Sequence, residues 1–191
     1  MNPRILRVCV VFVGLLVASW ITATAATYVV NPEGTGDYPT IQAAIDACVD
    51  GDIVELTDGT YTGDGNRDIA FLGKPITVRS QSGNPEVCII NCEGSGESPH
   101  RGFEFRAGEG PGSVLEDLTI TGGVADSVES FGGAVFCHSA SPTIVGCIFS
   151  ENVAFMGGGM YCSMCSSSIS DCAFIQNTAR NGGGLWSHGS P

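Results

Sequence analysis

The chain carries two kinds of hydrophobic pattern. From Phe131 onward, apolar runs of three or four residues are separated by Gly, Ser, Pro and Asn. No window there holds the ten or more residues of 3.6 periodicity that a helical repeat needs. Alternation is present instead. Val135 and Cys137 are two apart, as are Cys147 and Phe149, so each pair points to one side of a strand. Between Ala26 and Arg106 the pattern predicts short strands at Tyr28–Val30, Ile53–Leu56, Ile76–Arg79, Val87–Asn91 and Gly102–Arg106, with a turn at Asp58–Tyr61. One amphipathic helix, Ile41 to Cys48, is expected after a Thr40 cap. It places Ile41, Ala44, Ile45 and Cys48 on one face.

The second half repeats with an offset of 25 residues. Gly132-Gly133-Ala134-Val135-Phe136-Cys137 falls on Gly157-Gly158-Gly159-Met160-Tyr161-Cys162. Ile144, Cys147, Phe149 and Asn152 fall on Ile169, Cys172, Phe174 and Asn177, and a third copy starts at Gly182. Leu115, Leu118 and Ile120 match the same apolar positions one unit upstream. So short a period signals a solenoid, whose units bury their apolar faces only against neighbours. The predicted fold is all-β: a right-handed parallel β-helix of about five to seven coils, with the short helix as an N-terminal cap. Register places Cys137 beside Cys162 and Cys147 beside Cys172, with Cα atoms about 5 Å apart, close enough for a disulfide or for stacked thiols. It also stacks Phe149 on Phe174 and sets Asn152 and Asn177 in an amide ladder. Gly-Gly pairs mark the corners.

The first 25 residues read as a signal peptide. Arg4 and Arg7 precede an apolar run, Val8 to Ile21, and Ala23-Thr24-Ala25 supplies the small-x-small cleavage pattern. The run is shorter than a membrane span needs, and no other stretch could span. The expected domain is 26–191, breaking off inside a third repeat, with Leu185 in the last coil and further coils, a barrel or a sorting tail left open. Export makes disulfides permissible among its eight cysteines, in a pairing the sequence does not give.

Two stretches carry a resemblance. Tyr38-Pro39-Thr40-Ile41-Gln42-Ala43-Ala44-Ile45, Gly51-Asp52-Ile53-Val54, Gly59-Thr60-Tyr61 and Gly73-Lys74-Pro75-Ile76-Thr77-Val78 together resemble the N-terminal coil of the right-handed parallel β-helix (pectin lyase-like) superfamily. Gly132-Gly133-Ala134-Val135 with Phe149-Ser150-Glu151-Asn152, and Gly157-Gly158-Gly159-Met160 with Phe174-Ile175-Gln176-Asn177, are similar to the GGA[ILV] and FxxN repeats of polymorphic outer-membrane proteins. The resemblance implies a fold and a cell-surface or outer-membrane setting. It implies no activity, because the shared residues are turn and core positions.

Charge narrows the function classes. With 8 Lys+Arg against 20 Asp+Glu, net −12, the chain is no phosphate-tracking nucleic-acid binder. Asp64, Asn66 and Asp68 have the alternate oxygens of a calcium loop, but Ile69 and Pro75 stand where its glycine and glutamate belong; a solvated turn is the expectation, with calcium as the alternative and no other cofactor. Cys162, Cys165, Cys172 and His188 could be written as a zinc set, yet Cys162 and Cys172 repeat Cys137 and Cys147 and read as coil positions. Cys88 and Cys92 are about 13 Å apart if extended, too far to bridge each other; Cys48 is a candidate partner for either. Catalysis would need paired carboxylates, or a base with a cation. Asp117, Asp126 and Glu129 are the acids near the middle coils, Arg101 and Arg106 lie near Glu104 and Glu109, and the best-aligned columns set Glu151 over Gln176 and Gly146 over Asp171. The sequence therefore favours a secreted, non-catalytic scaffold or adhesin-like surface. The alternative is a polysaccharide lyase, a glycoside hydrolase or a glycan-binding β-helix. Phe136, Tyr161 and Trp186 form an outward aromatic column, a candidate surface for an extracellular polysaccharide or a cell-surface partner.

Overall fold

A computed structural model describes residues 24–125 and 130–189. The expected signal peptide lies almost wholly outside them, as do Asp126 and Glu129. The described chain winds as a parallel β-solenoid of about six coils. Four walls of strands run along it. The first is six strands deep: Thr27–Val30, Ile53–Leu56, Thr77–Ser80, Val114–Glu116, Thr143–Val145 and Ser168–Ser170. The second holds Gly59–Tyr61, Cys88–Asn91, Thr119–Thr121, Ile148–Ser150 and Ala173–Ile175. The third is shorter, with Val124–Ala125, Val153–Met156 and Thr178–Asn181. The fourth holds Ile69–Ala70, Phe103–Phe105, Val135–His138, Met160–Ser163 and Leu185–His188. Neighbouring strands pair parallel in every wall.

The 25-residue offset is the observed register. Val135 pairs with Met160, Cys137 with Cys162, Ile144 with Ile169 and Phe149 with Phe174. The Ala173 amide donates to the Cys147 carbonyl, which sets Cys147 beside Cys172. Leu115 lies under Ile144 and Ile120 under Phe149, as the weaker upstream copy implies.

The cap helix spans Ile41–Ala47, with the Thr40 hydroxyl accepting from the Ala43 amide. Cys48 is extended rather than helical: its amide closes the helix on the Ala44 and Ile45 carbonyls. Ile41, Ala44 and Ile45 are buried over the first coil. One turn is corrected. Gly59–Tyr61 is a strand, paired with Cys88–Ile90. Tyr61 is the reason: its ring fills the core and its hydroxyl donates to the Val30 carbonyl at 2.7 Å, so the segment is pulled into the wall.

The corners also differ from expectation. Each regular coil turns at four left-handed positions, and only one of them is a glycine column throughout. Gly132, Gly157 and Gly182 have φ of 69°, 65° and 63°. At Gly157 a Cβ would lie 2.3 Å from the Met160 carbonyl oxygen, so no side chain fits. The other columns are Asp117, Gly146 and Asp171; Gly122, Glu151 and Gln176; and Ser139, Met164 and Gly189, all with φ between 51° and 66°. The second glycine of each Gly-Gly pair has a separate reason. A Cβ on Gly158 would lie 2.5 Å from the carbonyls of Gly183 and Thr178 in the next coil.

The core is graded. The lower coils are filled by Phe71, Phe103 and Phe105, with Phe71 and Phe105 centroids 4.7 Å apart. In the next coils the Phe105 column becomes Cys137 and then Cys162. The buried Asn152 occupies the corner after Phe149. Its Oδ1 accepts from the Gly123 amide at 2.8 Å, and its Nδ2 donates to the Ile120 carbonyl and to Asn177 Oδ1, each at 3.0 Å. The amide ladder is therefore present, and it bonds three successive coils.

Candidate functional site

The outward face of the fourth wall carries a column of aromatic and charged side chains. Glu104, Phe136, Tyr161 and Trp186 occupy one register column. Alternation puts Val135, Cys137, Met160 and Cys162 inside and these four outside. The rings stack on one another. Phe136 and Tyr161 have centroids 5.5 Å apart at 2°, and Tyr161 and Trp186 4.9 Å apart at 8°. Phe131, which sequence reasoning did not place here, stacks on Tyr161 at 4.6 Å. Tyr161 is thus sandwiched between Phe131 and Phe136 of one coil and Trp186 of the next. The column turns ring edges outward and commits the faces to self-stacking, each pair contributing about 0.5–1.5 kcal/mol beyond burial.

The lower end of the ladder is closed by charge. The Arg101 guanidinium lies 5.3 Å from the Phe136 centroid and 3.3 Å from Glu104. Arg106 Nη2 holds the other Glu104 oxygen at 2.6 Å. Burial lowers the Arg101 pKa, against the Glu104 carboxylate that raises it. Both arginines singled out from sequence are therefore ligands of Glu104. On one flank, Arg180 sits 5.5 Å over the Phe155 ring. His138 and His188 neighbour Phe136 and Trp186 on the same strands, with centroids 6.4 and 5.7 Å from them.

The other sequence candidates are placed elsewhere. Asp64, Asn66 and Asp68 do not converge. Asp64 pairs with Arg67 at 2.9 Å, and Asp68 holds His100 at 2.6 Å and the Arg101 amide. Asn66 is turned inward, where its Oδ1 accepts from the Ile41 amide and its Nδ2 donates to Thr62. It is a second cap for the helix. Cys172 lies at the corner between the first and second walls, bonding the Ile144 and Ser170 carbonyls of the first, and is separated from Cys162 and Cys165 on the fourth-wall side. Among the described residues no group of three or more His, Cys, Asp or Glu is placed to hold a metal ion. The described cysteines, Cys48, Cys88 and Cys92 included, are free thiols, and all but Cys172 are buried.

The acidic column needs one addition. Asp117 lies beneath Gly146, its amide donating to Val145, so the corner reads Asp117, Gly146, Asp171. The Asp117 carboxylate leans across the space a Gly146 side chain would fill; a Cβ there would fall 1.9 Å from its Oδ1. Asp117 also lines a shallow polar cavity of about 320 Å³ with Arg79, Gln81, Ser82 and Glu116. Arg79 is already bound to Glu55, holding that carboxyl below its ordinary pKa. The cavity had no sequence signal: its residues come from two coils without a repeated spacing.

Comparison of the chain with protein-family models, with curated proteins and with solved structures gives no match. No helix among the described residues is long and apolar enough to cross a membrane.

Proposed function

We propose that this chain is an exported, non-catalytic right-handed β-helix of pectin lyase-like type, with repeats like those of polymorphic outer-membrane proteins. Its coils act as an extracellular or cell-surface scaffold with an adhesin-like binding face. The observation that carries this reading is the self-satisfied fourth wall. Its aromatic rings stack on each other, and its one carboxylate, Glu104, is held by two arginines. Such a face is rigid and presents ring edges and histidines to a partner. It does not present a carboxylate poised for proton transfer. The test is an assay of residues 26–191, with calcium, against polygalacturonate, alginate and other acidic glycans. No release of unsaturated or reducing ends is expected.

One observation favours the enzymatic alternative. Asp117 and Asp171 share a corner column two coils apart, about 9.6 Å between backbones at the usual strand spacing. That is near the upper limit for the two carboxyls of an inverting glycosidase. Glycan cleavage abolished by Asp117→Ala or Arg106→Ala would replace the scaffold reading. Binding on a glycan array, lost in Trp186→Ala without any cleavage, would assign the ladder a polysaccharide.

A further inference from the structure

The space beside the fourth wall's inner face gathers three thiols. Cys137 and Cys162 stack in one column, and the Cys165 Sγ lies 3.1 Å from the Cys137 Sγ. Cys165 comes from beyond the left-handed corner at Met164. The repeat offset puts it over Ala140, whose small side chain leaves room beneath. The thiol therefore reaches down past Ala140 onto Cys137 of the preceding coil. Cys137 itself replaces the bulky Phe105 of the coil below, so the gap exists only where the core changes from aromatic to small.

We propose that Cys137 and Cys165 are an inter-coil disulfide site, formed by exchange with a small-molecule disulfide and clamping two successive coils. Geometry selects this pair. Residues directly in register on parallel strands have nearly parallel Cα–Cβ vectors, so Cys137–Cys162 and Cys147–Cys172 hold their Cβ atoms near the strand spacing, beyond the 3.5–4.5 Å a disulfide takes. Cys165 approaches from another direction, around the corner, with its sulfur already converged on Cys137. Access is provided as well: a cavity of about 200 Å³ is lined by Cys162, Cys165, Ser166, Ser167 and Leu185. Cys137 lies deeper, and the Cys162 thiol together with burial pushes its pKa further up than that of Cys165, which burial raises to about 11.

The exchange balances in two steps. The Cys165 thiolate attacks one sulfur of the donor, breaking its S–S bond, expelling one thiolate and leaving a mixed disulfide on Cys165. The Cys137 thiolate then attacks the Cys165 sulfur and expels the second donor thiolate. Two protein thiols lose two protons and two electrons, and the donor is reduced to two thiols. High thiol pKa values make both steps slow at neutral pH and faster as pH rises.

The test oxidises the reduced, folded full chain with oxidised glutathione at pH 8.5. Non-reduced fragments are mapped by mass spectrometry after cleavage at methionine and before Asp171. Cleavage at Met160 and Met164 separates Cys162 from Cys165, and cleavage at Asp171 separates Cys165 from Cys172. Tandem fragmentation distinguishes Cys137 from Cys147. The expected product links Cys137 to Cys165, and it raises the thermal midpoint by roughly 5–10 °C over the reduced chain. Cys165→Ser removes both the link and the shift. Dominant linkage of Cys137 to Cys162, of Cys162 to Cys165, or of Cys147 to Cys172, overturns the proposal. So does full alkylation of Cys137 and Cys165 after oxidation of the wild-type chain.

Discussion

The amide ladder makes the sharpest demand on stability, and Asn152→Ala tests it. Asn152 is 0% exposed, and its side chain makes three hydrogen bonds to three partners. Truncation to alanine orphans the buried Gly123 amide, while the Ile120 carbonyl loses one of two donors and keeps its ladder bond to the Ser150 strand. Each buried polar group left without a partner costs about 1–3 kcal/mol. Asn177 Oδ1 is less affected, since it still accepts from the Asn152 backbone amide at 3.0 Å. One orphaned group, with the lost bonds to Ile120 and Asn177, therefore gives a loss of about 3 kcal/mol. With an m-value of about 2 kcal/mol/M, the urea midpoint falls by about 1.5 M. Asn177→Ala is the internal control. That residue is only half-buried, so water replaces its bonds and the cost is about 1 kcal/mol.

Urea unfolding should be followed by far-UV circular dichroism and by fluorescence of Trp186, which is locked in the ring ladder. Coincident curves license the two-state conversion; a solenoid that frays coil by coil would separate them. Asn152→Asp adds a chemical check. It puts an acceptor oxygen where the Nδ2 donor faces the Ile120 carbonyl. The variant is then worse than alanine at neutral pH and recovers in acid, as the buried carboxyl takes a proton. The reasoning is refuted if Asn152→Ala costs under 1 kcal/mol, or if Asn177→Ala costs as much.

Two further predictions follow from local geometry. Met164 has φ of 54° and is 55% exposed, so Met164→Gly relieves about 1–2 kcal/mol of left-handed strain and loses about 0.5–1 to chain entropy; the urea midpoint should rise, and a fall greater than that of Met164→Ala would contradict the corner assignment. Asp52 accepts from the Ala26 and Val49 amides at 2.7 and 2.8 Å, and those bonds hold its pKa below the ordinary value. Its contribution is complete above the unfolded carboxyl pKa, about 3.9, and is lost as pH falls through the lower folded value; hydrogen exchange at Ala26 and Val49, corrected for intrinsic rates, should accelerate there in wild type and far less in Asp52→Asn.

Identical spacing made the walls legible in the sequence. Phe149 over Phe174, Asn152 over Asn177 and the column Phe136, Tyr161, Trp186 all follow from one offset, because in-register stacking turns sequence identity into contact. Three of the four corners were not legible. Glycine advertises a left-handed position, but Asp117, Glu151, Gln176 and Met164 adopt one without any such mark. Backbone pairing with the neighbouring coils offsets the local cost, and local propensity carries no trace of that. The placement of Asn66 in the calcium-like run was hidden for the opposite reason. Its spacing suggested convergence, while Asn66 answers a distant demand, the unpaired Ile41 amide at the helix start. The Cys165 contact was hidden because it joins positions 28 apart, off the repeat, through a gap that only the Ala140 and Cys137 side-chain sizes create.

The same stacking rule that makes the fold legible limits what its faces can do. Residues one repeat apart sit about 4.8 Å from each other. A charged residue kept at one position in every coil would face its own like charge above and below, which is destabilising. Aromatic rings and amides have no such conflict, and they are what this chain stacks: rings on the fourth wall, asparagines at a buried corner. Where acids recur, they are spaced or neutralised. Asp117 and Asp171 are interrupted by Gly146, which also gives the Asp117 carboxylate its room, and Glu104 has Phe136 above it and arginines beside it. Paired carboxyls on such a lattice avoid stacked like charge when they come from coils two apart or from a loop that leaves the lattice. Among the described residues Glu55 and Glu116 meet the first condition across Arg79, which holds Glu55, and Asp117 and Asp171 meet it across Gly146 with no cation between them, which is why Asp117→Ala is the first variant to test for any cleaving activity.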